Sequence, residues 1–136
     1  MKDDIADAKR WFLQGSQDLD DAKFNLSGNR YNVACFLAQQ SAEKVLKAYL
    51  IAQGAESVWG HSTWELYKLT KAFDESFLII ENEARLLEKY YIPTRHPDAL
   101  PGAIPSEAFD ENDAKSAISM TSKIIELVQS KLNIIS

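Results

Sequence analysis

The stretch from Val33 to Ile51, VACFLAQQSAEKVLKAYLI, constrains this chain more than any other. Placed on a helix at about 100° per residue, its apolar side chains cover most of the circumference. Val33, Ala34, Cys35, Leu37, Ala38, Ala42, Val45, Leu46, Ala48, Tyr49 and Leu50 form a wide arc. Only one narrow stripe is strongly polar: Gln40, Glu43, Lys44 and Lys47, at spacing i, i+3, i+4, i+7. A protein in water hides so wide an apolar arc by surrounding the helix with other helices. The stripe must then reach water, a partner or a ligand, because an unpaired buried charge is costly. This helix should be the most buried of the fold, with Leu37, Val45, Leu46 and Tyr49 in the core.

The rest of the chain supplies the surrounding helices. A first helix is expected from about Asp3 to Leu26, with Asp3 and Asp4 complementing the dipole at its start. Ile5, Ala8, Phe12, Gly15, Leu19, Ala22 and Leu26 alternate large with small at 3-4 spacing, a seam that lets another helix come close. Gly15 inside a helix costs about 1 kcal/mol relative to Ala, which calls for a packing reason. Ser27-Gly28-Asn29 ends this helix, with Gly28 suited to a C-terminal cap and Asn29 to the next N-cap, so the two helices form an antiparallel hairpin. The second helix closes at Gln53-Gly54, and Ser62-Thr-Trp-Glu65 reads as a reciprocal capping box for a third. That third helix is expected to turn Leu66, Leu69 and Phe73 inward until Asp74 to Ser76 interrupt it. A fourth shows Phe77, Ile80, Ala84, Leu87 and Tyr91 on one face. The last begins near Asp110, with Asp113 three residues on and Phe109 placed to staple. Its inward stripe is Ala114, Ala117, Ile118, Thr121, Ile124, Ile125, Val128 and Leu132. Residues 1–136 therefore read as one all-α domain, an up-and-down antiparallel bundle of about five helices.

Composition narrows the function classes. Fifteen Lys and Arg against twenty Asp and Glu give a net charge of −5, which argues against a non-specific nucleic-acid binder. A small local basic site is compatible with that charge. No apolar run approaches the roughly 18 residues of a membrane span, and MKDDIADAKR is too charged for a signal peptide. Cys35 is the only cysteine, so no internal disulfide is expected and a reducing cytoplasm fits. His61 and His96 lack metal-ligand spacing, and there is no Gly-rich phosphate loop or G-x-S-x-G. Neither a metal nor a cofactor is expected.

Between the fourth and last helices lies YIPTRHPDALPGAIPSEAF, which holds all four prolines, at 93, 97, 101 and 105. Proline at that spacing forbids a continuous helix, and so long a connection in a compact domain is usually functional or disordered. Arg95, His96 and Asp98 cluster within it. Arginine offers a planar fork for phosphate, histidine passes protons near neutral pH, and Asp98 can orient either one. In the plainer reading, Arg95 pairs with a surface carboxylate and Asp98 caps a turn after Pro97. His61 directly precedes the Ser62 cap, which gives its position a structural explanation. The stripe of Gln40, Glu43, Lys44 and Lys47 has two readings as well: a solvated face with one i, i+4 ion pair, or the lining of a cleft beside Arg95.

Several of these stretches together resemble the HEPN family, over nearly the whole chain. They are Trp11 with Asp18-Leu19-Asp20, the run Gln39-Gln40-Ser41-Ala42-Glu43-Lys44 continuing to Leu46-Lys47-Ala48-Tyr49-Leu50, then His61, and finally Tyr91-Ile-Pro-Thr-Arg95-His96-Pro97-Asp98. The chain is similar to small stand-alone prokaryotic members. The resemblance implies a helical bundle that forms a homodimer and engages a nucleotide or RNA, often beside a minimal nucleotidyltransferase in a toxin–antitoxin pair. Many members are metal-independent RNases whose motif is an arginine, a polar residue, and a histidine about four to six residues beyond that arginine. Arg95 matches the arginine and His96 the polar position, but the histidine window, in which Leu100 and Pro101 fall, holds no histidine, and none follows His96.

Three functions are therefore open from the sequence. The first is a non-catalytic homodimer that binds a nucleotide or RNA through Arg95 and Asp98 with Gln40, Glu43, Lys44 and Lys47. The second is an endoribonuclease with Arg95 stabilising phosphate charge and His96 as acid–base. The third is a purely structural dimer. The seam of the first helix, Trp11 as an exposed aromatic, and the family resemblance all point toward dimerisation.

Overall fold

The computed structural model describes residues 4–55, 60, 62–91, 96, 100 and 102–132. Among these residues the chain forms six α-helices and no strand. They are α1 (Asp4–Ser27), α2 (Tyr31–Ala52), α3 (Thr63–Phe73), α4 (Glu81–Leu87), α5 (Pro105–Ala108) and α6 (Glu111–Leu132). Short 3-10 segments, Glu75–Ile80 and Glu88–Tyr90, flank α4. The all-α bundle expected from hydrophobic periodicity is what forms.

Helix α2 is the centre. Val45, Leu46, Ala48 and Leu50 are buried, as is Tyr49, whose ring meets Phe77 at 4.6 Å. Leu37 is only half-buried and packs on the edge of this core. Helix α1 packs along α2 most extensively, and α6 next. Trp11 meets Lys47, and Ser41 Oγ donates to the Gly15 carbonyl at 2.6 Å. The order of these contacts along the two helices makes α1 antiparallel to α2. The linker after α2 then carries the chain back: Thr63, at the start of α3, accepts from Gln39 at 2.8 Å. Thr121 of α6 donates to the Ala38 carbonyl at 2.7 Å, and Lys131 near the end of α6 reaches Asp74 at 2.9 Å. Helices α3 and α6 therefore run along α2, while α1 and the Glu75–Tyr90 segment run against it.

The small-residue seam of α1 is consumed inside the chain. A Cβ on Gly15 would lie 2.7 Å from Val45 Cγ1, so the glycine lets α2 seat against α1. Ala8, Phe12, Leu19 and Ala22 of the seam are buried, but Ile5 is exposed. Trp11 is half-buried over Lys47 and is not the exposed aromatic expected.

Three local expectations change. Asn29 is not an N-cap: at φ 61 it sits in the left-handed position, where the Asn29 and Arg30 amides close onto the carbonyls of Leu26 and Asn25 at 3.0 and 2.8 Å. Helix α3 is rotated from its expected phase, with Thr63, Leu66, Tyr67 and Thr70 buried and Leu69 and Phe73 exposed. The aromatic Tyr67 takes the core position because Trp64 stacks on it at 5.2 Å and its hydroxyl reaches Glu81 at 3.4 Å. Finally, Ser62 does cap the Glu65 amide at 3.0 Å, but the Glu65 carboxylate lies on Lys68. Glu88 supplies the other acceptor, taking Ser62 Oγ at 2.9 Å and the Trp64 amide at 3.0 Å. At α6 the reciprocal box forms as read: the amides of Asp110 and Asp113 each donate to the other's carboxylate at 2.9 Å.

Candidate functional site

The polar stripe of α2 folds inward against α1. Glu43 and Lys47 are one helical turn apart, and Lys47 Nζ lies 3.0 Å from Glu43 Oε2 with both side chains almost fully buried. Trp11 covers the pair from α1, with Lys47 Nζ 5.3 Å from its ring centroid. Gln40 donates to Glu43 Oε1 at 3.2 Å and to Gln39 Oε1 at 2.8 Å. Gln39 passes the chain of hydrogen bonds on to Thr63 at the start of α3. Lys44, half-buried, pairs with the buried carboxylate of Asp18 on α1, which also accepts from Gln14 at 2.9 Å. No buried side-chain nitrogen or oxygen is left without a partner among the described residues.

A solvated face is thus ruled out for Glu43 and Lys47. The helical spacing brought the four stripe residues together, but it was silent on their surroundings. Asp18 is the residue that this spacing alone did not connect to Lys44. Its signal was a lone carboxylate on the otherwise apolar face of α1, between Gly15 and Leu19.

The connection that carries Arg95 is rooted close to the same helix. Tyr91, where it leaves the Glu88–Tyr90 segment, stacks on Phe36 with ring centroids 6.1 Å apart and 23° between planes. Phe36 stands one turn before Gln40 on α2, so the root of the connection lies at the head of the polar stripe. The other end returns beside it: Phe109 meets Tyr90 edge-on at 5.9 Å. Burial pushes the Tyr90 hydroxyl up to about 12, aided by Cys35 and by the Asp113 and Asp110 carboxylates. A one-turn α5 opens on Pro105, and the Ile104 amide donates to Glu107 at 3.3 Å. His96 is exposed. Arg95, Asp98 and His61 lie outside the described residues. Among the described residues no group of three or more His, Cys, Asp or Glu could hold a metal ion. Nor is any described helix long and apolar enough to cross a membrane.

Comparison with known proteins bears on the whole of this architecture. The chain is similar to the crystal structure of TT1696 from Thermus thermophilus, with a TM-score of 0.80 and 34% identity, covering 91% of this chain and 97% of that one. It is also similar to the crystal structure of ST0689, an archaeal HEPN homologue, with a TM-score of 0.74 and 32% identity over 97% and 99% of the two chains. In sequence it is 25% identical to the Putative toxin MJ1304 of Methanocaldococcus jannaschii, over 90% of this chain and 86% of that protein. The HEPN domain model matches residues 8–131, from the first buried alanine of α1 to the last turn of α6. With the bundle, the α2 run and the rooted connection all falling inside that match, the chain belongs to the HEPN domain family.

Proposed function

We propose that this chain is a homodimeric HEPN domain that binds a nucleotide or RNA without cleaving it, as one half of a toxin–antitoxin-type pair with a minimal nucleotidyltransferase. The observation that carries this reading is the stack of Tyr91 on Phe36. Arg95 is four residues beyond Tyr91, so chain length alone keeps it within about 14 Å of that root, and Gln40 is one turn along α2. In this reading Arg95 holds phosphate, Asp98 orients it, and the half-buried Gln40 and Lys44 face the ligand. Glu43 and Lys47 are the buried brace behind them. The similarity to a protein named as a putative toxin supports the toxin–antitoxin setting. The absent downstream histidine supports binding without cleavage.

A second reading is an endoribonuclease in which Arg95 stabilises the phosphate and His96 acts as acid–base. The exposure of His96 favours it, since an acid–base must reach substrate. Two measurements on wild type, Arg95→Ala and His96→Ala separate the readings: calorimetric titration with ATP and with a short RNA, and an RNA-cleavage assay. Binding without cleavage, weakened about tenfold to hundredfold by Arg95→Ala and little by His96→Ala, is the expected result. Cleavage abolished by both substitutions establishes the nuclease. No binding by wild type leaves only the structural dimer. Light scattering at micromolar concentration tests the dimer, for which a 15.3 kDa particle is the contrary outcome.

A further inference from the structure

The polar chain Thr63–Gln39–Gln40–Glu43–Lys47 fixes which way round the Gln40 amide is held. A side-chain amide has a donor end and an acceptor end, and turning it over exchanges them, so its neighbours decide the orientation. Gln39 and Gln40 are both such amides, and the Thr63 hydroxyl beyond them serves equally as donor or acceptor. Those links work read in either direction. Glu43 breaks the symmetry. Its carboxylate holds the Lys47 ammonium at 3.0 Å with both side chains almost fully buried, so it accepts and does not donate.

The orientation of the other members follows from that one group. Gln40 must turn its nitrogen to Glu43 Oε1, at 3.2 Å. The second N–H of the same nitrogen donates to Gln39 Oε1 at 2.8 Å. Gln39 therefore turns its own nitrogen to Thr63 Oγ1, at 2.8 Å. Both N–H groups of Gln40 are consumed inside the protein, and its Oε1 has no partner among the described residues. Gln40 is half-buried, and no buried side-chain oxygen among those residues lacks a partner, so Oε1 is open to solvent. A freely turning glutamine offers either end to a ligand. This one offers a carbonyl oxygen alone.

We propose that Gln40 is a specificity-determining residue, held as a hydrogen-bond acceptor by Glu43, that favours a base edge bearing an amino group over one bearing a carbonyl or neither. This role rests on the binding reading above and adds to the same site a preference among bases, with Glu43 as the positioning residue behind it. A fixed acceptor gains a hydrogen bond from an amino group, gains none from a C–H edge and repels a carbonyl oxygen. Because the amide is already ordered before the ligand arrives, little of that gain is spent on fixing its rotamer. The Phe36–Tyr91 stack lies one turn before Gln40, which puts planar aromatic surface beside the acceptor.

The test is calorimetric titration of the full chain with three nucleotides that differ at one position of the base: ATP with an amino group, ITP with a carbonyl, and purine riboside triphosphate with neither. The proteins are wild type, Gln40→Met, and Glu43→Gln combined with Lys47→Met, which removes the carboxylate without stranding a buried charge. Wild type should bind ATP about threefold to tenfold more tightly than the purine analogue, and ITP more weakly again. Gln40→Met should bind ATP and the purine analogue alike. In the double variant the amides are free to turn over, so ITP should bind more tightly than the purine analogue. If wild type binds ATP and the purine analogue equally, the role of Gln40 is overturned while the nucleotide-binding reading stands. If the double variant keeps the wild-type order, the lock by Glu43 is overturned. If wild type binds none of the three, the selectivity falls together with the reading it rests on.

Discussion

Lys47 Nζ sits 3.0 Å from Glu43 Oε2, and both side chains are shielded from water under Trp11. An exposed pair at this spacing is worth a few tenths of a kcal/mol, but a buried one behaves differently. Removing one partner strands a charge where water cannot reach it. Lys47→Ala should therefore cost about 3–5 kcal/mol in urea melts. Replacing both, as Glu43→Leu with Lys47→Met, should recover most of that loss. A single-variant loss below about half a kcal/mol would mean that the pair is hydrated in solution.

Gly15→Ala reverses the usual helix rule. In an open helix the change gains about 1 kcal/mol. Here the new methyl would meet Val45 Cγ1 at 2.7 Å and the Ser41 carbonyl at 3.1 Å. Val45 is fully buried and cannot swing away, so α1 and α2 must separate locally. The expected loss is about 1–3 kcal/mol. Thermal melts showing a gain would refute the close approach.

Leu46→Ala removes a fully buried side chain from the centre of α2. Lost burial and the cavity left behind should cost about 2–5 kcal/mol by denaturant melts.

Asp74 couples stability to acid pH. It caps the Glu75–Ile80 segment by accepting from Ser76 and also holds Lys131 of α6 at 2.9 Å. The Lys131 contact foremost, then the Ser76 bonds, lower its pKa from 3.8 to about 2. The folded value lies below the unfolded one, so this contribution is fully present above pH 3.8 and is lost as pH falls toward about 2. Stability measured from about pH 5 to pH 2 should fall less steeply in Lys131→Met than in wild type. Parallel curves would show that the contact carries none of the acid sensitivity.

Cys35 should be inert while the chain is folded. Burial, with Asp113 and Asp110 nearby, pushes its thiol up to about 12, so almost no thiolate exists at neutral pH. Alkylation by a maleimide should be slow in buffer and fast in denaturant. Equal rates would place the thiol at the surface.

The sequence by itself determined the features that depend on neighbours within a turn or two. Helical period marked the buried faces of α1, α2 and α6, because one helix carries its own 3.6-residue repeat. Asp110 and Asp113 announced their capping box, and Gly54 the end of α2, because a cap is satisfied by amides three to five residues away. Tertiary structure decided what depends on contacts between segments distant in the chain. The stripe of α2 reads the same whether it meets water or Trp11 and Asp18, which arrive from 26 or more residues earlier. The phase of α3 and its second cap were set by Glu81 and Glu88, residues beyond the helix itself. The Arg95 cluster was legible as chemistry, since residue types carry that much, but the stack of Tyr91 on Phe36 at the root of its connection arises only when the Glu88–Tyr90 segment meets α2. Local order costs little conformational entropy to specify, whereas these distant meetings exist only once the core has closed around α2.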